Sequence, residues 1–160
     1  MAASKKIVSV NVLKQAIARL RRQKKTIAFT NGCFDILHYG HVQYLQAAKK
    51  GSRVLIVGLN SDQSIRGYKG PGRPINSQKH RAAVLAALES VDFVTIFDEE
   101  TPYKLIAAVE PDVLIKGADW KGKEVVGSDI VEKRGGKVEL AKYADGFSTT
   151  RMIERIKQDN

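Results

Sequence analysis

The chain has 160 residues, 43% of them hydrophobic, enough for one domain with a substantial core and too few for two. Its N-terminus, MAASKKIVSVN, lacks the apolar run of a signal peptide, and no stretch approaches the roughly 18–20 apolar residues of a membrane span, so a cytoplasmic protein without membrane contact is expected. A formal charge of +10 fits either a nucleic-acid surface or a pocket for a small polyanion, and the single cysteine, Cys33, excludes an internal disulfide and a cysteine-based metal cluster.

Residues 11–23 place Val12, Leu13, Ala16, Ile17 and Leu20 at helical spacing, predicting an amphipathic helix docked on the sheet edge. The only dense basic run, Arg19, Arg21, Arg22, Lys24 and Lys25, falls at its end, where cations complement the helix dipole. No aromatic stacking platform is interleaved with it, so a solvated helix end is expected rather than a nucleic-acid surface.

Residues 26–45, TIAFTNGCFDILHYGHVQYL, organise the rest. The apolar run from Thr26 to Phe29 reads as a buried strand, Thr30, Asn31, Gly32, Cys33, Phe34 and Asp35 as a tight turn, and His38-Tyr39-Gly40-His41 as the start of a helix carrying Val42, Leu45 and Ala48. Such a junction collects unpaired backbone N–H groups and the positive end of a helix dipole, which together favour phosphate. The i, i+3 spacing puts both imidazoles on one face, and Gly40 between them removes a side chain that would hold a nucleotide away.

This stretch resembles the HxGH signature of the nucleotidyltransferase superfamily, and TNGCFDILHYGHVQYL is similar to the heptose 1-phosphate adenylyltransferase branch. In that branch the domain is fused to a sugar kinase or stands alone, and the present length implies the stand-alone form. The resemblance makes His38 and His41 catalytic and assigns nucleotide binding to Thr30, Asn31, Gly32, Cys33, Phe34, Gly40 and His41. Asp35 either binds a sugar hydroxyl or fixes the loop.

Lys49-Lys50-Gly51 stops the helix, and Arg53–Leu59 reads as a second buried strand, completing a right-handed βαβ unit. After Asn60-Ser61-Asp62, the segment Arg66–Ile75 holds three glycines and two prolines, which predicts an irregular, flexible loop on the face where α/β sheets place ligands. Its cations, Arg66, Lys69 and Arg73, are candidate phosphate contacts, Arg73 first because Pro74 stiffens it. Ser77 can cap a helix with Ala83, Val84, Ala87 and Leu88 as its apolar stripe, and His80 reads as surface. The resemblance matches Arg81 to an arginine closing over the ligand face, and the sugar-phosphate candidates are Asp35, Asn60, Asp62, Lys69, Arg73 and Arg81.

Val91–Phe97 is the third strand, and Thr101-Pro102 opens the next helix. Asp112–Lys116 is the fourth, ending in Gly117-Ala118-Asp119-Trp120, which resembles the family's loop that places a lysine against the nucleotide; Lys116, Gly117 and Asp119 are carried over on that ground. Trp120 is either a wall of the sugar pocket or a plug at a subunit interface. Val125–Arg134 reads as a helix and Lys137–Leu140 as the fifth strand. In Ala144–Ile153 a hydroxyl-rich turn opens a helix whose Met152, Ile153 and Ile156 face inward. Ser148, Thr149 and Thr150 can cap that helix or meet phosphate oxygens, with Arg151 supplying permanent charge. The segment resembles the superfamily's second signature, with Phe147 in place of isoleucine, and the resemblance covers about residues 26–155.

Alternating strands and helices predict a three-layer α/β domain with a five-stranded parallel sheet, residues 1–25 forming an N-terminal helical extension and 26–155 the catalytic core. The resemblance implies a Rossmann-like fold with strand order 3-2-1-4-5 and a crevice beside strand one. It also implies adenylyl transfer from ATP to D-glycero-D-manno-heptose 1-phosphate, with Mg2+ travelling on the triphosphate and no dedicated metal site. Partners would be these small molecules and not nucleic acid, and a homodimer is one assembly the reading allows. The competing readings are cytidylyl transfer to glycerol 3-phosphate or a similar alcohol phosphate, and a nucleotide-sensing or nucleic-acid-binding domain without catalysis.

Overall fold

In the computed structural model, which describes residues 2–141 and 148–158, the strands are β1 (Ile27–Gly32), β2 (Val54–Asn60), β3 (Phe93–Phe97), β4 (Val113–Gly117) and β5 (Lys137–Ala141). All neighbours run parallel in the order β3-β2-β1-β4-β5, as expected. The helices are α1 (Val10–Arg22), α2 (Tyr39–Ala48), α3 (Asp62–Lys69), α4 (Gln78–Ala87), α5 (Tyr103–Val109), α6 (Ser128–Lys133) and α7 (Thr149–Gln158). β2 is buried at every position, as a parallel strand covered on both faces must be.

The pleat sends alternate residues to two cores. Ala28, Leu55 and Val57 pack with Tyr44, Leu45, Ala82 and Leu85 from α2 and α4. Ile27, Phe29 and Ile56 pack on the opposite face with Leu13 and Ile17 of α1, Leu105 and Ile106 of α5, and Val131 of α6. Thus α1 covers a face of the sheet rather than its edge. The edge is met instead by Ile7, which bridges to Val94 of β3. Nor is the end of α1 simply solvated: the Arg21 guanidinium donates to the carbonyls of Val109 and Glu110, where α5 leaves its last acceptors unpaired.

Three expectations are corrected. The segment from Arg66 is not wholly irregular, because α3 runs to Lys69, capped by the Ser61 hydroxyl, which accepts from the Ser64 N–H; Gly70, at φ 86°, ends it. The stripe of α4 is Arg81, Ala82, Leu85 and Ala86, while Val84 is 48% exposed. Alanines carry no phase, and the true stripe was hidden because it begins with a buried arginine. In α7 Ile156 is 59% exposed and does not face inward.

The ladders are unequal where the site forms. β1 pairs with β2 at six positions, from Ile27↔Val54 to Gly32↔Leu59. With β4 it pairs at two, Ala28↔Val113 and Phe29↔Leu114. Beyond Phe29 the two strands part, and Tyr44 of α2 fills the gap: its hydroxyl meets Thr30 Oγ1 at 2.5 Å and donates to the Ile115 carbonyl at 3.1 Å. The order reverses at this same point, which is where open α/β sheets hold their ligands.

Candidate active site

His38 is the N-cap of α2, its Nδ1 accepting a long 3.4 Å bond from the His41 N–H. The two imidazoles stack, with centroids 3.8 Å apart and planes 19° from parallel, and Phe34 closes on His41 at 5.1 Å. Burial, then the neighbouring His38 and Lys69, push the His41 pKa down to about 4, against a smaller upward pull from a hydrogen bond with the Ile36 backbone. Burial also lowers that of His38. Near neutrality His41 is therefore an uncharged imidazole, a hydrogen-bond donor rather than a fixed cation. Its Nδ1 is buried without a partner among the described residues.

A cavity of about 550 Å3 opens at the carboxyl ends of β1 to β4. Asn31, Gly32 and Cys33 line it from β1, Asn60, Tyr68 and Lys69 from β2 and α3, and Lys116, Gly117 and Trp120 from β4 and the turn after it. The Lys116 ammonium donates to Asn31 Oδ1 at 2.5 Å and stands 5.1 Å from the centre of the Trp120 ring. Trp120 is thus a cavity wall that also packs on the core. The Cys33 sulfur lies 2.5 Å from the Tyr68 hydroxyl, so the turn after β1 touches the last turn of α3.

Four of the sugar-phosphate candidates, Asp35, Asp62, Arg73 and Arg81, are paired with one another within the protein. Asp35, 3% exposed, takes the second of its two alternatives and fixes the loop: it accepts from Arg73 Nε at 2.8 Å and from the N–H groups of Ile75 and Asn76. Burial raises its pKa, but those backbone donors and Arg73 outweigh it and hold the carboxyl below its usual range. Arg73, the foremost phosphate candidate, is paired inward with that carboxylate.

Arg81 is likewise engaged within the fold. At 2% exposure it donates to the carbonyls of Asn76, Cys33 and Asn60 and to Asp62 Oδ1, at 2.6–2.9 Å, tying two cavity-forming segments, at Cys33 and Asn60, to the start of α4. Asp62 is accordingly its counter-ion. Of that set, Asn60 and Lys69 remain on the cavity wall.

Among the nucleotide candidates, Thr30 is fully buried against Tyr44, and Gly32 lies close to the Phe34 ring, which a Cβ there would approach to 3.1 Å. Gly40 is buried within α2. The side chain of Asp119 and the stretch 142–147, including Phe147, lie outside the described residues. Ser148 caps α7, its hydroxyl accepting from the Arg151 N–H at 3.1 Å. Neither it nor Thr149, Thr150 and Arg151 is among the residues lining the cavity. The wall formed by Glu100, Thr101 and Pro102 was missed, since a strand-to-helix loop carries no motif and only the strand order brings it to the site.

Residues 29–155 match the Cytidylyltransferase-like family. The chain belongs to that family. Similar relatives are the Bifunctional protein HldE of Wolinella succinogenes, 54% identical over 155 residues, and that of Campylobacter jejuni subsp. doylei, 55% identical over 144. They account for 97% and 90% of this chain but 32% and 30% of the relatives, so it spans about a third of their length. The crystal structure of the lipopolysaccharide core biosynthesis protein from Thermoplasma volcanium is similar at a TM-score of 0.61 and 30% identity, over 74% of this chain and 96% of that one.

As a member of the Cytidylyltransferase-like family the domain is a nucleotidyltransferase, and the HxGH turn is its recognisable core. Among the described residues no group of three or more His, Cys, Asp or Glu could hold a metal ion, and no helix is long and apolar enough to cross a membrane.

Proposed function

We propose that this domain transfers AMP from ATP to D-glycero-D-manno-heptose 1-phosphate, releasing pyrophosphate and forming ADP-heptose, a precursor of surface glycans, in the cytoplasm. The observation that carries the reading is the stacked His38–His41 pair at the start of α2; neither ring is among the residues lining the cavity, but Asn31, Gly32 and Cys33 just before the pair and Tyr44 just after it are. Relatives sharing more than half of its residues are named HldE, and a solved relative is titled for lipopolysaccharide core biosynthesis, which supports a heptose acceptor.

An oxygen of the sugar phosphate attacks the α-phosphorus of ATP, the bond to the β-phosphate breaks, and pyrophosphate leaves. The nucleophile is already anionic, so neither a general base nor a covalent intermediate is required, and Cys33 has no chemical step. What the protein supplies is in-line positioning and donors for charge that builds at the α-phosphate. His38 and His41 provide those donors as N–H groups. Lys116, held by Asn31, bears on the nucleotide, while Ser148, Thr149 and Arg151 take the outer phosphates. Magnesium bound to ATP offsets part of the triphosphate charge, and the described carboxylates nearest the turn, Asp35 and Asp62, are already committed to Arg73 and Arg81.

The decisive experiment follows pyrophosphate release with ATP or CTP against heptose 1-phosphate, other sugar 1-phosphates and glycerol 3-phosphate. ATP with heptose 1-phosphate should be the fastest pair. Faster turnover with CTP and glycerol 3-phosphate would replace this reading with cytidylyl transfer. A folded Cys33→Ser protein should keep most of its activity, and loss of turnover in it would reject the direct-displacement route.

A further inference from the structure

The cavity is not uniform in charge, and the strand order arranges the difference along one line. The carboxyl ends of the strands follow one another across the cavity floor in the order β3, β2, β1 and β4. At the β4 end stand the Lys116 ammonium and the Trp120 ring. Over β1 lie Asn31, Gly32 and Cys33, leading into the histidine turn. At the far end, beyond Asn60 of β2, the loop after β3 contributes Glu100 and Thr101.

Glu100 is exposed, and no hydrogen bond or ion pair joins it to another described residue, whereas its neighbour Glu99 pairs with Lys104 at 3.9 Å. The backbone beneath it is nonetheless held. The Ser64 hydroxyl donates to the Glu99 carbonyl and accepts from Asn60 Nδ2, both at 3.1 Å, and the Ser61 N–H donates to the Phe97 carbonyl at 2.9 Å. A chain with a formal charge of +10 thus presents, on one wall of this cavity, a carboxylate with no ionic partner among the described residues.

A carboxylate repels every phosphate that approaches it, so this end is no seat for a triphosphate or for the acceptor's phosphate. It accepts hydrogen bonds from neutral donors, and two oxygens on one carbon suit a pair of adjacent hydroxyls. We infer that Glu100, with Thr101 and Asn60 beside it, reads the hydroxyl groups of the acceptor's uncharged body, making Glu100 a specificity-determining residue. Phosphates then lie over β1 and β4, and the polyhydroxylated part of the acceptor points toward β3. The inference rests on the reaction proposed above and adds the orientation of its second substrate.

The test uses Glu100→Ala and Glu100→Gln in the full chain, with the acceptor that the parent protein turns over fastest in the panel above. Both variants should raise the KM for a sugar phosphate about tenfold while leaving the ATP KM within about twofold, because a site built to bond hydroxyls suffers when its partner is removed. Discrimination between a heptose phosphate and glycerol 3-phosphate should shrink. Melting temperature should not move, Glu100 being exposed. An unchanged or lower sugar-phosphate KM, the result if this carboxylate only repels anions, would overturn the inference, as would a parallel rise in the ATP KM. A parent protein that ignores heptose phosphates would defeat the proposed reaction instead, and Glu100 would then be judged on whichever acceptor the protein uses.

Discussion

The histidine turn and the hydroxyl-rich stretch before α7 both stand at helix N-termini, yet they are anchored in opposite ways. The helix behind the first sends Tyr44, Leu45 and Ala48 into the core, and Arg81 ties its turn by the Cys33 carbonyl to the segments after β2 and before α4. The helix behind the second has no buried residue between Thr149 and Gln158. One half of the proposed machinery is therefore organised by the core before any ligand arrives. Under the proposed chemistry the other half takes its hold from the phosphates it binds, so part of the binding energy is spent on seating it.

The sharpest way to break this contrast is to remove the tie. Arg81→Ala leaves Asp62 and three carbonyls without their donor, and unfolding by denaturant should show a loss of about 3–5 kcal/mol, the range for breaking a buried ion pair. A loss below about 1 kcal/mol would mean the turn holds itself. His41→Ala should lower turnover by a factor on the order of 100–1,000, about 2.7–4 kcal/mol, with the ATP dissociation constant nearly intact. Near-normal turnover in folded His38→Ala and His41→Ala proteins would end the proposed mechanism.

Arg151→Ala, on the helix that has no fully buried residue, should behave in the reverse manner. The ATP KM should rise about tenfold, as expected for a bond to a charged group, while the melting temperature stays put because Arg151 is exposed. A fall in melting temperature would show that α7 contributes to the core after all.

Acid titration separates the two regions by another route. His41 has a folded pKa of about 4 against 6.5 for the free side chain, so the unfolded chain takes up its proton first. Its contribution to stability is complete above about pH 6.5 and drains away as the pH falls toward 4. Denaturant midpoints should drop across that window in the parent protein and less steeply in His41→Ala. The smallest effect expected is at Thr95, whose buried hydroxyl has no described partner: Thr95→Val should stabilise by about 1 kcal/mol without touching activity, and destabilisation would mean the hydroxyl is satisfied.

The alternation of strands and helices and the helix start at the histidine turn were legible because each rests on a repeating apolar pattern or on a fixed local spacing, whereas the strand order followed from the family resemblance of residues 26–45. What escaped was set by contacts distant in sequence. Whether Asp35 meets a sugar or a loop depends on residues 38 to 41 positions further on. Arg81 was matched to an arginine over the ligand face, and its bonds to the carbonyls of Cys33 and Asn60 become visible only with the fold. The phase of α4 was misread for the same reason, since its buried face starts at that arginine and continues in alanines. Glu100 carries no local signal at all, its place on the cavity wall being a property of the sheet.

The parting of β1 from β4 has a mechanical consequence. With two paired positions between them against six between β1 and β2, the sheet behaves as two stiff leaves, β3-β2-β1 and β4-β5, joined along a short spine at Ala28 and Phe29. Above that spine the leaves are bridged by side chains, the Tyr44 phenol and the Lys116 ammonium on Asn31, rather than by a ladder of backbone bonds. The mouth of the cavity is thus held between the two leaves by side chains and not by rungs of the sheet.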